Sequence, residues 1–166
     1  RWDLPPVKRK DIRIALDEWD YWYGPNEYGE LGTRYVLQDG LGIAAGLHEL
    51  FRNSDLYFMA NYAQTVNVIG AIKTTPTAAE MEATGLALAL YRRHFGTLPV
   101  KVAGAPAPLD VAAALVGGGE DDVRVTRVEH DIADPRVLAD RQHRVPGGPG
   151  ALDRVLQFAH VSRPGV

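Results

Sequence analysis

Two carboxylates stand together at the end of an apolar run in "RIALDEWDYWYG": Asp17 and Glu18, followed by Trp19, Tyr21, Trp22 and Tyr23. A carboxylate at a strand end can serve as a nucleophile, a general acid or base, or a metal ligand. A metal site needs further Asp, Glu or His at ligand spacing, and no convincing set follows. The aromatics point to sugars. Trp and Tyr offer flat faces to sugar C–H surfaces and rings that exclude water. A carboxylate among aromatics is what a glycosidase sets against an oxocarbenium-like transition state. The same residues also suit a helix cap or surface ion pair beside packed rings, so position at a strand end is what favours chemistry.

The surrounding sequence supplies elements that would hold such a site. Ile12, Ile14 and Leu16 alternate, which predicts a strand over residues 11–16 with Glu18 just past its end. A loop punctuated by Gly24-Pro25, Gly29 and Gly32 follows. Residues 38–54 read as a helix with Asp39 as N-cap and Leu41, Ala44, Ala45, His48 and Phe51 at helical spacing. "LYFMAN", residues 56–61, is a short apolar run without a period of its own, as expected of a strand buried on both faces. "YAQTVNVIGAI" is expected to turn into a short helix, and residues 77–96 read as a long one ending at Gly96. Beyond Thr97, "LPVKVAG" and "LDVAAALVGG" read as short strands separated by "APAP". Two consecutive βα units favour a parallel sheet with helices outside, and the change after Gly96 predicts an all-β region. Two units cannot close a sheet, so further strands are expected upstream or from a partner.

Composition narrows the classes. The 166 residues suffice for one ordinary domain, 46% are hydrophobic, and the net charge is -3. Basic residues are scattered with no long basic face, which argues against nucleic acid. No apolar run reaches the roughly 18 residues of a membrane span. There is no cysteine, which excludes disulfides and thiolate metal sites and fits a reducing compartment. The start, "RWDLPPVKRKD", has no apolar core after its charges and is not read as a signal peptide; it reads as the cut edge of something longer. Beyond Phe95 the only aromatic is Phe158, and from Asp121 the text turns rich in Arg, Asp, Val, Pro and Gly with no Lys. Such a segment buries little apolar surface, and order is not expected of it. A GC-rich reading frame shifted near codon 120 would give the same composition, which the nucleotide sequence there would test.

"ALDEWDYWYG", followed by "DGLGIAAGLHELFRNSDLYFMANYAQTVNVIGAIKTT", closely resembles the retaining α-L-arabinofuranosidases of glycoside hydrolase family fifty-one. The likeness covers roughly residues 11–116, and its paired motifs stand in order with one helix between them. It implies that this α/β chain holds the last βα units, strands seven and eight, of a (β/α)8 TIM barrel, followed by the start of a β-sandwich. On that basis residues 1–96 are the C-terminal part of the barrel and residues 97–119 the first sandwich strands. Residues 120–166 are an atypical tail. The resemblance makes Glu18 the nucleophile, Trp22 an aromatic lining the sugar subsite, and Gln64 a hydrogen-bonding partner of the bound arabinofuranose. Asn61 and Asn67 are expected to support the loop rather than touch substrate. Asp17 is expected to orient the turn through a side-chain to backbone hydrogen bond, and His48 is expected to be a packing or surface residue.

The resemblance implies hydrolysis of terminal non-reducing α-L-arabinofuranosyl residues of arabinan or arabinoxylan oligosaccharides. It implies no cofactor, no metal, a cytoplasmic location, and members that are often homo-oligomers. Retaining glycosidases need two carboxyl groups about 5–5.5 Å apart. In the resembled family the acid/base Glu follows an Asn on the fourth barrel strand, upstream of Arg1. The dipeptide Asn26-Glu27 lies in the Gly/Pro loop and is a poor substitute, because a loop rarely fixes a reacting geometry. The chain alone is therefore expected to be inactive on an aryl α-L-arabinofuranoside, with Glu27 the first residue to mutate if it is not. The competing reading is a non-catalytic remnant with a structural or weak sugar-binding role.

Overall fold

The computed structural model describes residues 5, 10–20, 22, 29–104 and 109–116, together with the backbone of two strands at 122–129 and 157–162. It begins with a βαβ unit. Strand β1, Ile14–Trp19, leads through a short turn at Gly29–Leu31 into helix α1, Leu37–Arg52, and back to β2, Tyr57–Tyr62. The two strands pair in parallel. A crossover through a helix is what joining parallel neighbours requires.

β1 runs three residues further than its alternation suggests, because β2 offers pairing as far as Tyr62. Glu18 therefore lies within the strand rather than past it. The register is not regular. Leu16 pairs with Ala60 and Trp19 with Tyr62, so β1 spends one residue more than β2 over this step. That is a β-bulge at Asp17–Glu18. It explains the burial: Leu16 and Trp19 are both half-buried, with Asp17 and Glu18 both exposed between them.

Helix α1 starts one residue earlier than expected, and Asp39 is not its N-cap. Val36 takes that position with extended backbone. Asp39, at the third helical position, reaches back to accept the Val36 N–H at 2.7 Å. The carboxylate thus satisfies a donor the helix end would leave orphaned and sits favourably on the helix dipole.

After β2 the expected short helix does not form. Residues 63–71 are irregular, and β3, Ile72–Thr74, pairs antiparallel with β4, Ala79–Met81. β4 occupies part of the segment read as the start of the second helix, which begins only at Ala83. Pairing with β3 overrides the helical propensity of Ala79 and Glu80. Helix α2, Ala83–His94, then lies against α1. Their shared core is Leu41, Ala44 and Tyr91, flanked by Leu47, Phe51 and Phe95. Phe51 stacks on Phe95 with ring centres 4.3 Å apart.

A four-stranded antiparallel sheet follows in the order β5 (Leu98–Val100), β6 (Leu109–Leu115), β7 (Asp122–Glu129) and β8 (Gln157–Ser162). β5 and β6 fall where short strands were expected. β7 and β8 belong to the atypical tail, and β7 pairs with β6 at seven consecutive positions from Leu109–Glu129 to Leu115–Val123. The sheet meets α1 through β6. At that contact His48, fully buried, holds Asp110 Oδ2 3.1 Å from Nδ1 and the Tyr91 hydroxyl 2.6 Å from Nε2. Arg52 closes on the other Asp110 oxygen.

Candidate active site

Glu18 is placed by the bulge. Trp19 is fixed against α1, where Gly46 leaves room for its ring: a Cβ there would come within 2.9 Å of Trp19 Cζ3. Trp19 also meets Tyr62 edge-on, ring centres 5.7 Å apart. With Leu16 and Trp19 both turned to the helix, the two residues between them are left on the open side of the strand. A bulge commonly re-aims a side chain in this way beside a functional site. Glu18 and Asp17 do not line the cleft of about 220 Å³ that Leu16, Trp19, Leu50 and Tyr57 form under α1, so that cleft is not the site.

Gln64 lies at the same end of the strand pair. The Ala63 N–H donates to the Trp19 carbonyl at 3.1 Å. This bond joins the residue after Glu18 to the residue before Gln64, so both side chains leave the same end of the β1–β2 pair. The Gln64 side chain is exposed, while its carbonyl accepts the Ala71 N–H at 3.1 Å. The Ala63–Gln64 peptide is cis. Trp22 lies beyond the strand end and is 64% exposed, a ring open to a ligand and not part of the core. Asn26 and Glu27 lie outside the described residues.

The loop after Gln64 is built to be rigid. Asn67 and Val68 both adopt left-handed backbone, φ 55° and 49°. For a β-branched residue such as Val68 that is unfavourable and persists only where the surroundings over-determine it. They do. The Val68 carbonyl accepts from Thr33 N–H at 2.7 Å and from Lys73 Nζ at 3.0 Å. Asn67 accepts the Thr74 N–H at 2.8 Å through Oδ1. Gly32, φ 76°, passes so close that a Cβ would stand 2.0 Å from the Val68 carbonyl oxygen. Asn67 thus holds loop backbone, as expected of it. Asn61 is exposed on β2. Asp17 is exposed in the bulge and makes no side-chain hydrogen bond to backbone among the described residues, so its expected role in orienting the turn is not seen.

Four polar groups around this end of the sheet are not marked by any motif in the sequence. Asp20 is half-buried, and burial, then the charge of Glu18, push its carboxyl above the ordinary aspartate range. Tyr62 ends β2 with a buried hydroxyl near those of Tyr35 and Thr84, without hydrogen bonds of good geometry. Burial is the main cause that raises its phenol. Tyr35, 4% exposed, donates its hydroxyl to the Ile69 carbonyl at 3.1 Å, and burial raises it strongly. The Glu82 carboxyl accepts the Tyr35 N–H at 3.1 Å and is raised by burial, against the lowering effect of that bond, Lys73 and Arg34. No local signal marks Asp20, which follows the last residue of β1. Among the described residues, no three His, Asp or Glu side chains converge to hold a metal ion.

A parallel βαβ unit with a carboxylate at the shared strand end, feeding an antiparallel sheet, is an α/β arrangement that accords with known relatives. The α-L-arabinofuranosidase C-terminal domain family matches residues 17–143, and the chain belongs to that family. It is 31% identical over 138 residues to a probable α-L-arabinofuranosidase C of Aspergillus clavatus, covering 71% of this chain and 27% of that protein. It is 33% identical over 93 residues to the Aspergillus flavus counterpart, covering 55% of this chain and 18% of that one. The α-L-arabinofuranosidase of Thermotoga maritima, solved with arabinose, superposes with a TM-score of 0.66 at 28% identity, covering 76% of this chain and 30% of that chain. A GH51 α-L-arabinofuranosidase of Thermotoga petrophila gives 0.66 at 29% identity, covering 77% and 31%. The chain thus spans less than a third of the length of each of these relatives.

Proposed function

We propose that this chain is the nucleophile-bearing C-terminal part of a retaining α-L-arabinofuranosidase. Residues 1–96 contribute strands seven and eight of a (β/α)8 barrel, residues 97–119 begin a β-sandwich, and residues 120–166 form its tail. The observation that carries the reading is the Trp19–Ala63 bond, which sets Glu18 and Gln64 at one end of two parallel strands. In a (β/α) barrel that end is where the chemistry sits. The exposed Ile14, 40%, and Phe58, 61%, support it, since a parallel sheet is normally covered on both faces.

In this mechanism Glu18 attacks the anomeric carbon of a terminal α-L-arabinofuranoside and forms a glycosyl ester. A second carboxyl, supplied from outside this chain, protonates the leaving oxygen and then activates water to release arabinose with retained configuration. Gln64 hydrogen-bonds the furanose, and Trp22 packs against its apolar face. Arabinofuranosyl oligosaccharides of hemicellulose are the substrates, the enzyme works in the cytoplasm without a cofactor, and the full-length protein is a homo-oligomer. In a full-length protein built on this chain, Glu18→Ala should abolish turnover of an aryl α-L-arabinofuranoside, and azide should partly restore it by attacking in place of the carboxylate. Near-normal turnover in the alanine variant would remove Glu18 from the role.

A further inference from the structure

The end of β1 carries a second carboxyl that this mechanism leaves unused. Trp19, the last residue of β1, packs on α1, and Asp20 follows it directly, two positions beyond Glu18 and half-buried where Glu18 is exposed. Asp20 Oδ2 is sealed from solvent and has no hydrogen-bond partner among the described residues. Among the described residues, the titratable groups acting there are Glu18 on β1, Tyr62 at the end of β2 and Tyr35 ahead of α1, with Asp39 of α1 acting on both tyrosines. None of these is a cation. A carboxylate oxygen shut away from water, beside another carboxylate and facing phenols, is a poor place for a charge and a good place for a proton. The upward push on the Asp20 carboxyl agrees with this placement.

We propose that Asp20 is a positioning residue of the Glu18 site: it holds a proton while Glu18 is ionised and yields it to solvent water when Glu18 loses its charge, so the Glu18–Asp20 pair carries one negative charge throughout the reaction, beside the exposed Asp17. This rests on Glu18 being the nucleophile. When a Glu18 oxygen bonds to the anomeric carbon, the bond to the leaving oxygen breaks. The electron pair goes with that oxygen, which takes its proton from the acid/base. Glu18 is then a neutral ester. The Asp20 O–H ionises, its proton passes to water, and the new carboxylate faces an uncharged neighbour. Hydrolysis of the ester restores the Glu18 carboxylate, and Asp20 takes a proton back.

The direct test is a ¹³C-carboxyl NMR titration of the chain, wild type against Glu18→Gln, in which the amide supplies the uncharged neighbour. Asp20 should titrate above an ordinary aspartate in the wild type and fall toward it in Glu18→Gln. A midpoint that does not move between the two overturns the proposal. In a full-length protein built on this chain, Asp20→Asn should lower kcat with KM nearly unchanged and should alter the pH profile of kcat. Its effect should fall short of the about 10²–10⁴-fold loss that removing a general acid brings. A loss of that size would make Asp20 a proton donor to the leaving group, and an unaltered pH profile would make it purely structural; either result overturns the proposal. The NMR titration reads the two carboxyls without turnover. Failure of Glu18 as nucleophile would appear separately, as normal turnover in Glu18→Ala.

Discussion

Replacing His48 by alanine removes the side chain that joins α1, α2 and β6. The ring stands between two partners, with Nδ1 3.1 Å from Asp110 Oδ2 and Nε2 2.6 Å from the Tyr91 hydroxyl. The two links are not equal. The Asp110 contact, at 3.1 Å, falls short of good hydrogen-bond geometry, and Asp110 keeps Arg52 as a partner in any case. The Tyr91 bond is short and fully enclosed, so most of the energy lies there. Deleting the hydrogen-bond partner of a buried hydroxyl costs about 1–3 kcal/mol. Emptying a fully buried ring adds a cavity, and large-to-small core changes run to about 2–5 kcal/mol. The terms overlap, so the variant should lose about 3–5 kcal/mol, a large part of the roughly 5–15 kcal/mol that holds a typical domain together. Urea denaturation of the chain followed by circular dichroism measures it. Tyr91→Phe should cost about 1 kcal/mol alone and much less in the His48→Ala background, because the partner is already gone. A His48→Ala loss within about 0.5 kcal/mol, the range of ordinary surface changes, would refute the reasoning. So would strict additivity of the two substitutions.

Two further outcomes follow from the site. Gln64→Ala and Trp22→Ala, both exposed, should leave the fold intact by circular dichroism and lower kcat/KM in a full-length protein by about 10–100-fold, the worth of one or two good substrate contacts; unchanged kinetics would remove the residue from the site. For Glu82, burial raises the carboxyl in the folded state, so the native protein holds that proton more tightly than the unfolded chain. Its contribution to stability is full below the ordinary glutamate value and is lost as pH rises through the raised one. Glu82→Gln keeps an acceptor for the Tyr35 N–H, so it should raise the melting temperature near pH 7 and change little near pH 3; the opposite pattern would contradict the assignment.

The sequence made the βαβ unit legible because its signals are local. Leu41, Ala44, His48 and Phe51 repeat at helical spacing, and "LYFMAN" is short and apolar. It misplaced the end of β1 because pairing, not alternation, decides where a strand stops, and the partner that extends β1 is Tyr62. The bulge leaves no local trace in "ALDEW"; it exists only as a count of residues against β2. β4 was hidden inside a stretch of good helix formers for the same reason, since its partner β3 decides it. The His48–Asp110 link joins residues far apart in sequence, so a histidine at a helical core position looked like packing alone. Of the candidate site, Glu18, Trp22 and Gln64 are named by the motifs that carry the resemblance. Asp20 and Tyr62 are not, because their significance lies in burial.

The same two devices account for both placement and reach at the candidate site. A regular strand would have put Glu18 on the Leu16 side, toward α1, where a carboxylate would meet the helix and its apolar cleft. One extra residue turns it to the open side, while Trp19 keeps the strand packed. On the neighbouring strand the chain departs from regular pairing directly after Ala63, and it spends its next residues on a loop held by Asn67, Gly32 and Lys73. Each departure costs stability, through a lost ladder position in β1 and left-handed backbone at Val68. Neither is needed to complete the βαβ unit, which would pair more regularly without them. Both flank the backbone bond from the Ala63 N–H to the Trp19 carbonyl, at the end of the paired strands. Irregularity on two strands at one shared point is what is expected where side chains must be aimed at a third body.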